Sequence, residues 1–367
     1  MSSIFTLSLV ISRKSPLLKL AKPELDSLQI TDNVYSLPVK IGIVTCSGQV
    51  NVTYSIATYE TLTLIKSIMI SASVHKVTAV DLHIFVDSYA LQQFFDTIIS
   101  EFSFNDIGNR VNMKVYYYNV FKSVPRGSVK EFIKTKLRCT YLRIFFPEVL
   151  KSLDEILYLD TDTVVTGNIG DIWRRFHEMA PQKLVALAPN NVAEDENYSY
   201  LDKELFGDIP HVPPKGVNAG VFYINLAGLR KFRWTEKVLE FYRKINQSEI
   251  YINDQRLLNM FLHDNLDVLE ILPCHYNFQN IHCQKGLTCR TAESEPSGIQ
   301  IFHGTGDSFY VNQSHYQLFW AYTYFQFDEK VEPLVGFLND LRGYYMSVKN
   351  DSTCNGLLGP LLFKNIL

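Results

Sequence analysis

Between residues 40 and 165 the chain alternates buried-strand and amphipathic-helix signals, and this pattern restricts its fold more than any other feature. Lys40–Cys46 (KIGIVTC) reads as a strand, Glu60–Ser73 as a helix, Asp81–Asp87 (DLHIFVD) as a second strand and Ala90–Phe102 as a second helix. Val111–Tyr118 is a third strand and Glu131–Phe145 a third helix. Glu155–Leu159 (EILYL) is a fourth strand that runs straight into Asp160-Thr161-Asp162. Such alternation predicts an α/β fold, a Rossmann-like, largely parallel sheet with helices on both faces. Ligands in these folds sit at the carboxyl ends of strands, near a switch in strand order. Ser47-Gly48, Asp87 and Asp160 should therefore share one rim.

The second half is less regular. Leu184–Ala188 and Gly220–Asn225 read as strands, and Ile299–His303 as a short last one. Thr235–Ile245 reads as a helix with Val238, Leu239 and Phe241 inward, and Asn253–Phe261 as another. No repeat, low-complexity tract or Pro/Gly-rich linker divides the chain. The reading is one domain over 40–345, with an arm over 1–39 and a tail over 346–367. The first half should bind a nucleotide and the second should build the acceptor side.

The chemistry is sharpest at Asp160-Thr161-Asp162. Side chains two apart on an extended chain share a side, so the two carboxylates face together while Thr161 points away. Paired carboxylates with open coordination positions suit Mg²⁺ or Mn²⁺, which also accept diphosphate oxygens. His303-Gly304-Thr305-Gly306 follows an apolar run (IQIF). A neutral imidazole is a good third ligand, and glycines beside it let the backbone approach a phosphate. The stretch LYLDTDTVV also fits the nucleophile strand of haloacid-dehalogenase-type phosphatases. That fold uses its first strand and needs a later acidic metal loop; here three strand signals come first, and Gly306-Asp307 is followed by no second acid.

Composition agrees with a folded enzyme or binding protein. Apolar residues make up 47% and charged residues 20%, and the 21 Tyr and 24 Phe supply core first and ligand walls second. A net charge of −3 excludes a basic field for nucleic acid.

These stretches resemble glycosyltransferase family eight and, within it, the glucoside xylosyltransferases that extend O-linked glucose on EGF repeats. The resemblance rests on IGIVTCSG with ETLTLIKSIMISA, on YLRIFFPEVLKSLDEILYLDTDTVVTGNIGDIW, on KGVNAGVFYINLAGLR, on NDQRLLNMF, on LPCHYNFQNIHC and on GIQIFHGTGDSFY, all between residues 40 and 310. It implies a GT-A type mixed sheet, a UDP-sugar donor, a divalent metal (Mn²⁺ or Mg²⁺) and retention of anomeric configuration. Asp160, Asp162 and His303 fall on the family's metal ligands. Thr45, Cys46 and Ser47 fall on its uridine pocket, and Arg143 on its basic residue facing the donor. Asn218, Ala219 and Gly220 match its sugar-contacting turn, and Asp254 and Gln255 the polar pair beside the transferred sugar. Thr161, Gly304 and Gly306 complete the donor-binding set. Two departures stand out: Asp307 occupies the position where many members carry a diphosphate-binding Lys, and Gln49–Tyr59 looks like an insertion. The implied reaction is xylosyl transfer from UDP-xylose to O-linked glucose on a glycoprotein acceptor; the alternatives are a family-eight transferase with another UDP-sugar donor and acceptor, and a carbohydrate-binding relative that lost turnover, which Asp307 raises.

No cysteine lies in a CxxC pair, which argues against structural zinc. Cys283 and Cys289 flank a short Gly-containing loop that a disulfide could close, and Cys46 reads as packing near the nucleotide. Five glycosylation sequons occur, at Asn51, Asn197, Asn246, Asn312 and Asn350. Ile4–Ile11 is too short to span a bilayer, and its basic residues follow the apolar run where a signal peptide has them first. The expectation is a lumenal enzyme of the endoplasmic reticulum or Golgi, a type II membrane protein whose anchor is incomplete in this chain.

Overall fold

The computed structural model describes residues 38–47, 55–102, 111–123, 139–190, 210–245, 252–279, 282 and 289–305. Ten strands are described: β1 (Val39–Thr45), β2 (Ala79–Val86), β3 (Asn112–Asn119), β4 (Glu155–Leu159), β5 (Thr163–Val165), β6 (Val185–Pro189), β7 (Val217–Asn225), β8 (Leu269–Ile271), β9 (Phe278–Gln279) and β10 (Ile301–His303). Seven form a sheet in the order β3-β2-β1-β4-β7-β6-β8, and β5-β10-β9 form a second, smaller one. The first four strands of the large sheet run parallel, whereas β7 runs antiparallel to both β4 and β6. The sheet is mixed, as the family resemblance implies, because β7 returns beside β4.

Period-two alternation sorts the strand side chains between two cores. Along β4, Leu157 and Leu159 join a cluster with Ile41, Ile43 and Leu82. Ile156 and Tyr158 join a cluster on the other face with Phe222 and Ile224. The first core is covered by α1 (Ile56–Val74), α2 (Tyr89–Phe102) and α3 (Ile169–Glu178). The second is covered by α4 (Leu226–Phe232), α5 (Trp234–Ile245) and α6 (Asp254–His263). Side-chain caps start the helices that flank the site: Asn168 accepts from Gly170 N at 2.9 Å, and Asn253 accepts from Arg256 N at 2.8 Å.

β1 lies between β2 and β4, so the connection from β1 goes to one side and β4 lies on the other. This is the topological switch point where open α/β sheets form a crevice. Ile43 is level with Leu159, so both strands run out toward the same edge. Two members of the expected rim meet, Ser47 Oγ donating to Asp87 Oδ1 at 3.2 Å, and Gly48 lies outside the described residues.

Four expectations change. The helix read over 131–145 is described only from 139, as a 3₁₀ turn, Thr140–Phe145, followed by a short α-turn, Phe146–Val149. Pro147 has no N–H to give Arg143 O, so Phe146 N takes that carbonyl and tightens the turn. Asn218–Gly220 is strand, not turn, because β7 continues past a bulge at Leu187/Ala188 with Asn218 opposite Ala188. α1 begins at Ile56, so the end of the supposed insertion is helical and 49–54 lies outside the described residues. Finally, Cys289 pairs with Cys274, not Cys283, with Cα atoms 5.7 Å apart, and Cys46 pairs with Cys139. Cys274 opens the 3₁₀ turn Cys274–Asn277 and Cys289 precedes the helix Arg290–Ser294, so these two elements carry their cysteines to each other.

Candidate active site

The carboxylates reach the crevice because β4 and β7 hold the chain one residue beyond the strand. Asp160 N donates to Gly220 O at 2.8 Å, and Thr163 Oγ1 closes the turn onto Asp160 O at 2.7 Å. Thr161 and Asp162 lie in a turn and not on the extended chain expected, and Thr161 Oγ1 donates to Glu60 Oε2 of α1 at 2.8 Å. His303 arrives by strand pairing. β10 runs antiparallel to β5 with His303 opposite Thr163, and Gly304 N donates to Asp162 O at 2.7 Å. His303 Nε2 then lies 3.2 Å from Asp162 Oδ1. Asp160, Asp162 and His303 each offer a ligand atom, and these atoms all lie within 4.8 Å of one another.

Gly220 makes room for this meeting. A Cβ there would lie 2.1 Å from His303 Cε1 and 2.7 Å from its Nδ1.

The three groups perturb one another's charge. Burial raises the Asp160 carboxyl above its ordinary range, and the like charge of Asp162 adds to that, while Arg143 opposes both. Burial works against charge on Asp162 too, but the His303 imidazole beside it holds its pKa down. Burial disfavours an imidazolium at His303, yet Asp162 raises its pKa. Two carboxylates and one imidazole, an oxygen-rich set with nothing soft in it, suit Mn²⁺ or Mg²⁺.

Arg143 ties the crevice together. It is 5% exposed. Its Nη1 donates to Asp160 Oδ1 at 3.0 Å and to Ala219 O at 2.7 Å. Its Nε donates to Asp254 Oδ2 at 2.8 Å, and Nη2 reaches the same oxygen. The guanidinium lies over the Tyr158 ring, 5.1 Å from the centroid. Burial opposes its charge, but the Asp160 and Asp254 carboxylates keep it firmly protonated.

The remaining candidates fall into three groups. Thr45, Cys46 and Ser47 lie at the end of β1: Thr45 Oγ1 donates to Ala57 O at 3.4 Å, and the Cys46–Cys139 bridge joins this strand end to the segment carrying Arg143. Asp254 opens α6 and is held by Arg143. Gln255 Oε1 accepts from Ala219 N at 3.0 Å and its Nε2 donates to Val217 O. One turn on, Asn259 Oδ1 accepts from Val217 N at 2.7 Å. Gln255 and Asn259 thus continue the ladder of β7 where β4 has ended, which aligns Asn218, Ala219 and Gly220 along the crevice. Gly306 and Asp307 lie outside the described residues.

Three contributors escape sequence reasoning. Tyr158 Oη donates to Asp160 Oδ1, Glu60 receives Thr161, and Asn277 Oδ1 meets His303 Nδ1 at 2.8 Å. All three lay in stretches that drew attention (ETLTLIKSIMISA, EILYL and LPCHYNFQNIHC), but nothing in their spacing marked the residues themselves.

The family model described as "Glycosyl transferase family 8" matches residues 35–296. The chain belongs to that family. Among curated members, glucoside xylosyltransferase 1 of Gallus gallus is 28% identical over 256 residues, covering 67% of this chain and 55% of the relative. Glucoside xylosyltransferase 2 of Mus musculus is 28% identical over 289 residues, covering 75% and 60%. The chain thus spans little more than half the length of these curated relatives. The solved structure of mouse xyloside xylosyltransferase 1 in its apo form matches with a TM-score of 0.51 at 14% identity, covering 74% of this chain and 99% of that one. The galactosyltransferase LgtC, solved with donor and acceptor sugar analogues, matches with a TM-score of 0.50 at 16% identity, covering 81% and 99%. The fold is the GT-A type of these family 8 neighbours.

Proposed function

We propose that this family 8 chain is a retaining, metal-dependent glycosyltransferase that moves xylose from UDP-xylose to O-linked glucose on EGF-like repeats of a glycoprotein. The observation that carries the reading is the Asp160–Asp162–His303 group at the switch point between β1 and β4. The curated relatives' names, glucoside xylosyltransferase, support xylose as the sugar moved and a glucoside as the acceptor.

Asp160, Asp162 and His303 would hold Mn²⁺ or Mg²⁺, which offsets the diphosphate charge and stabilises departing UDP. Thr45 to Ser47 line the nucleotide end. Asn218 to Gly220, with Asp254, wall the sugar. The Asp254 carboxylate is occupied by Arg143, and both ends of the Gln255 amide are occupied by β7. These engagements support front-face attack by the acceptor hydroxyl, with its proton passing to the departing β-phosphate, over a protein nucleophile.

The two disulfides support an oxidising compartment. The chain accordingly works in the endoplasmic reticulum or Golgi lumen as part of a type II membrane protein. Among the described residues no helix is long and apolar enough to cross a membrane.

The testing experiment is the ratio of kcat/KM for UDP-xylose against UDP-glucose with one glucoside acceptor. Xylose lacks the hydroxymethyl group of glucose, so selection rests on filling its space, which is worth roughly 10–200-fold. A ratio in that range is expected. A ratio near one, or one favouring UDP-glucose, rejects xylosyl transfer.

A further inference from the structure

A proton account around His303 can be closed from a group whose role is unambiguous. The backbone N–H of Gly220 can only donate, and it donates to Asn218 Oδ1 at 2.8 Å. The atom that Asn218 turns toward this corner is therefore its carbonyl oxygen. Asn277 lies against the same oxygen at 2.9 Å, so it must present its NH₂ there. Its own Oδ1 then faces the other way, onto His303 Nδ1 at 2.8 Å. An amide oxygen only accepts, so Nδ1 must carry a proton. Nε2, on the far side of the ring, lies 3.2 Å from Asp162 Oδ1; it donates to that oxygen when the ring is charged and is the nitrogen left bare when the ring is neutral.

Asn277 and the His303 ring are sealed from water, while Asp162 on the far side of the ring is partly exposed. Asn277 is fully buried at 0%, and His303 is 2% exposed. The ring is also boxed in by Gly220, where even a methyl group would collide with it. Asn277 comes from the turn that follows Cys274, just before β9, and β9 pairs with β10 so that Gln279 is opposite His303. Sheet register and side-chain bonding thus set the ring by two independent routes.

We infer that Asn277 is a positioning residue that fixes His303 in the Nδ1–H tautomer, with Asn218 fixing the amide of Asn277 in turn. The inference rests on the metal reading of Asp160, Asp162 and His303 for its purpose. Ligand histidines with an oriented second nitrogen bind metal about 10–100-fold more tightly than those whose partner is removed. Asn218 is then part of the support of the metal ligand, in addition to lining the sugar side of the crevice.

The test uses the full chain, labelled with ¹⁵N-histidine, in a long-range ¹H–¹⁵N correlation under alkaline conditions where the imidazole is neutral. His303 is assigned by its loss in His303→Gln. The expected spectrum has Nδ1 protonated and Nε2 bare; a bare Nδ1 overturns the inference, and this wild-type reading suffices should Asn277→Ala fail to fold. Mn²⁺ affinity, read from free Mn²⁺ by EPR, supplies the second arm. Asn277→Ala should weaken Mn²⁺ binding about 10–100-fold. Asn277→Asp keeps an acceptor for Nδ1–H but sets an oxygen against Asn218 Oδ1. It should lower the melting temperature while keeping Mn²⁺ affinity. Affinity that follows melting temperature in both variants means a merely structural role and overturns the inference. Mn²⁺ binding unchanged in Asp160→Asn overturns the metal reading instead, and the histidine spectrum then still decides the tautomer by itself.

Discussion

Arg143 and Asp254, 111 residues apart, meet as a buried pair in which Nε and Nη2 of the guanidinium share Oδ2 of the carboxylate. The third nitrogen, Nη1, continues to Asp160 and to the carbonyl of Ala219. One planar group thus joins the start of α6, the Asp160 turn and the Ala219 stretch of β7. A lysine cannot reproduce this fork. Arg143→Lys should lower turnover by roughly 100-fold, the scale of misplacing reacting groups by about an ångström. Removing the partner is harsher for the fold: Asp254→Ala leaves a buried cation half-paired, at about 3–5 kcal/mol. Urea unfolding of both variants, with UDP release assayed alongside, checks the pair; wild-type stability in Asp254→Ala would contradict it.

Gly220→Ala puts a methyl carbon against a ring that Asn277 and Asp162 already hold. Overpacking of this kind costs about 1–3 kcal/mol. The expected result is a folded protein with a lowered unfolding midpoint and Mn²⁺ affinity reduced at least tenfold. Wild-type Mn²⁺ affinity in a folded Gly220→Ala protein would show that His303 is not held as described.

Both disulfides should contribute to stability according to the chain they close. The Cys274–Cys289 bridge has a sequence separation of 15 and the Cys46–Cys139 bridge one of 93. Loop-closure entropy assigns them about 3 and about 4.7 kcal/mol. Removing the longer bridge should also raise KM for the donor, because it ties the end of β1 to the Arg143 segment. Paired Cys→Ser variants under urea, with donor kinetics, test both; a larger stability loss for the shorter loop would argue against the entropic account.

Stability should fall on mild acidification. Burial lowers the pKa values of His83, His275 and His282 to about 4, with Lys40 adding to the effect at His83. Unfolded, each binds its proton near pH 6.5. Between about pH 6.5 and 4 the unfolded chain therefore holds more protons, so stability is complete above that window and drains away as pH falls through it. At pH 5 each contributes a loss on the order of 2 kcal/mol. His303 and Asp160 have the opposite sign, since Asp162 raises the pKa of the first and burial that of the second, while His75, lowered by burial, adds to the loss. Urea midpoints at pH 7.5 and pH 5 measure the sum, and an unchanged midpoint would refute it.

What could be read in advance follows from which signals are local. β1, β2 and β4 are largely apolar runs, and the two acids Asp160 and Asp162 directly after β4 mark a strand end. His303 was legible because the apolar IQIF run delivers it to a Gly-flanked strand end. Gln255 and Asn259 were not legible as a pair. Their i, i+4 spacing has a meaning only once β7 is known to outrun β4 on that side. Asn277, Glu60 and Tyr158 are buried polar groups placed by tertiary contacts, and no periodicity reveals them. Disulfide pairing likewise depends on which turns pack together: Cys274 reaches Cys289 through the contact of two short elements, although Cys283 is nearer in the chain.

The proposed function requires Asp160, Asp162 and His303 to act as one metal site that holds a UDP-sugar. Calorimetric titration of UDP into the wild type, Asp160→Asn and Asp162→Asn, with Mn²⁺ and with EDTA, tests it most directly. The account predicts UDP binding by the wild type that requires Mn²⁺ and is lost in both variants while their circular dichroism is unchanged. Equal UDP affinity in all three proteins, with and without Mn²⁺, would contradict it.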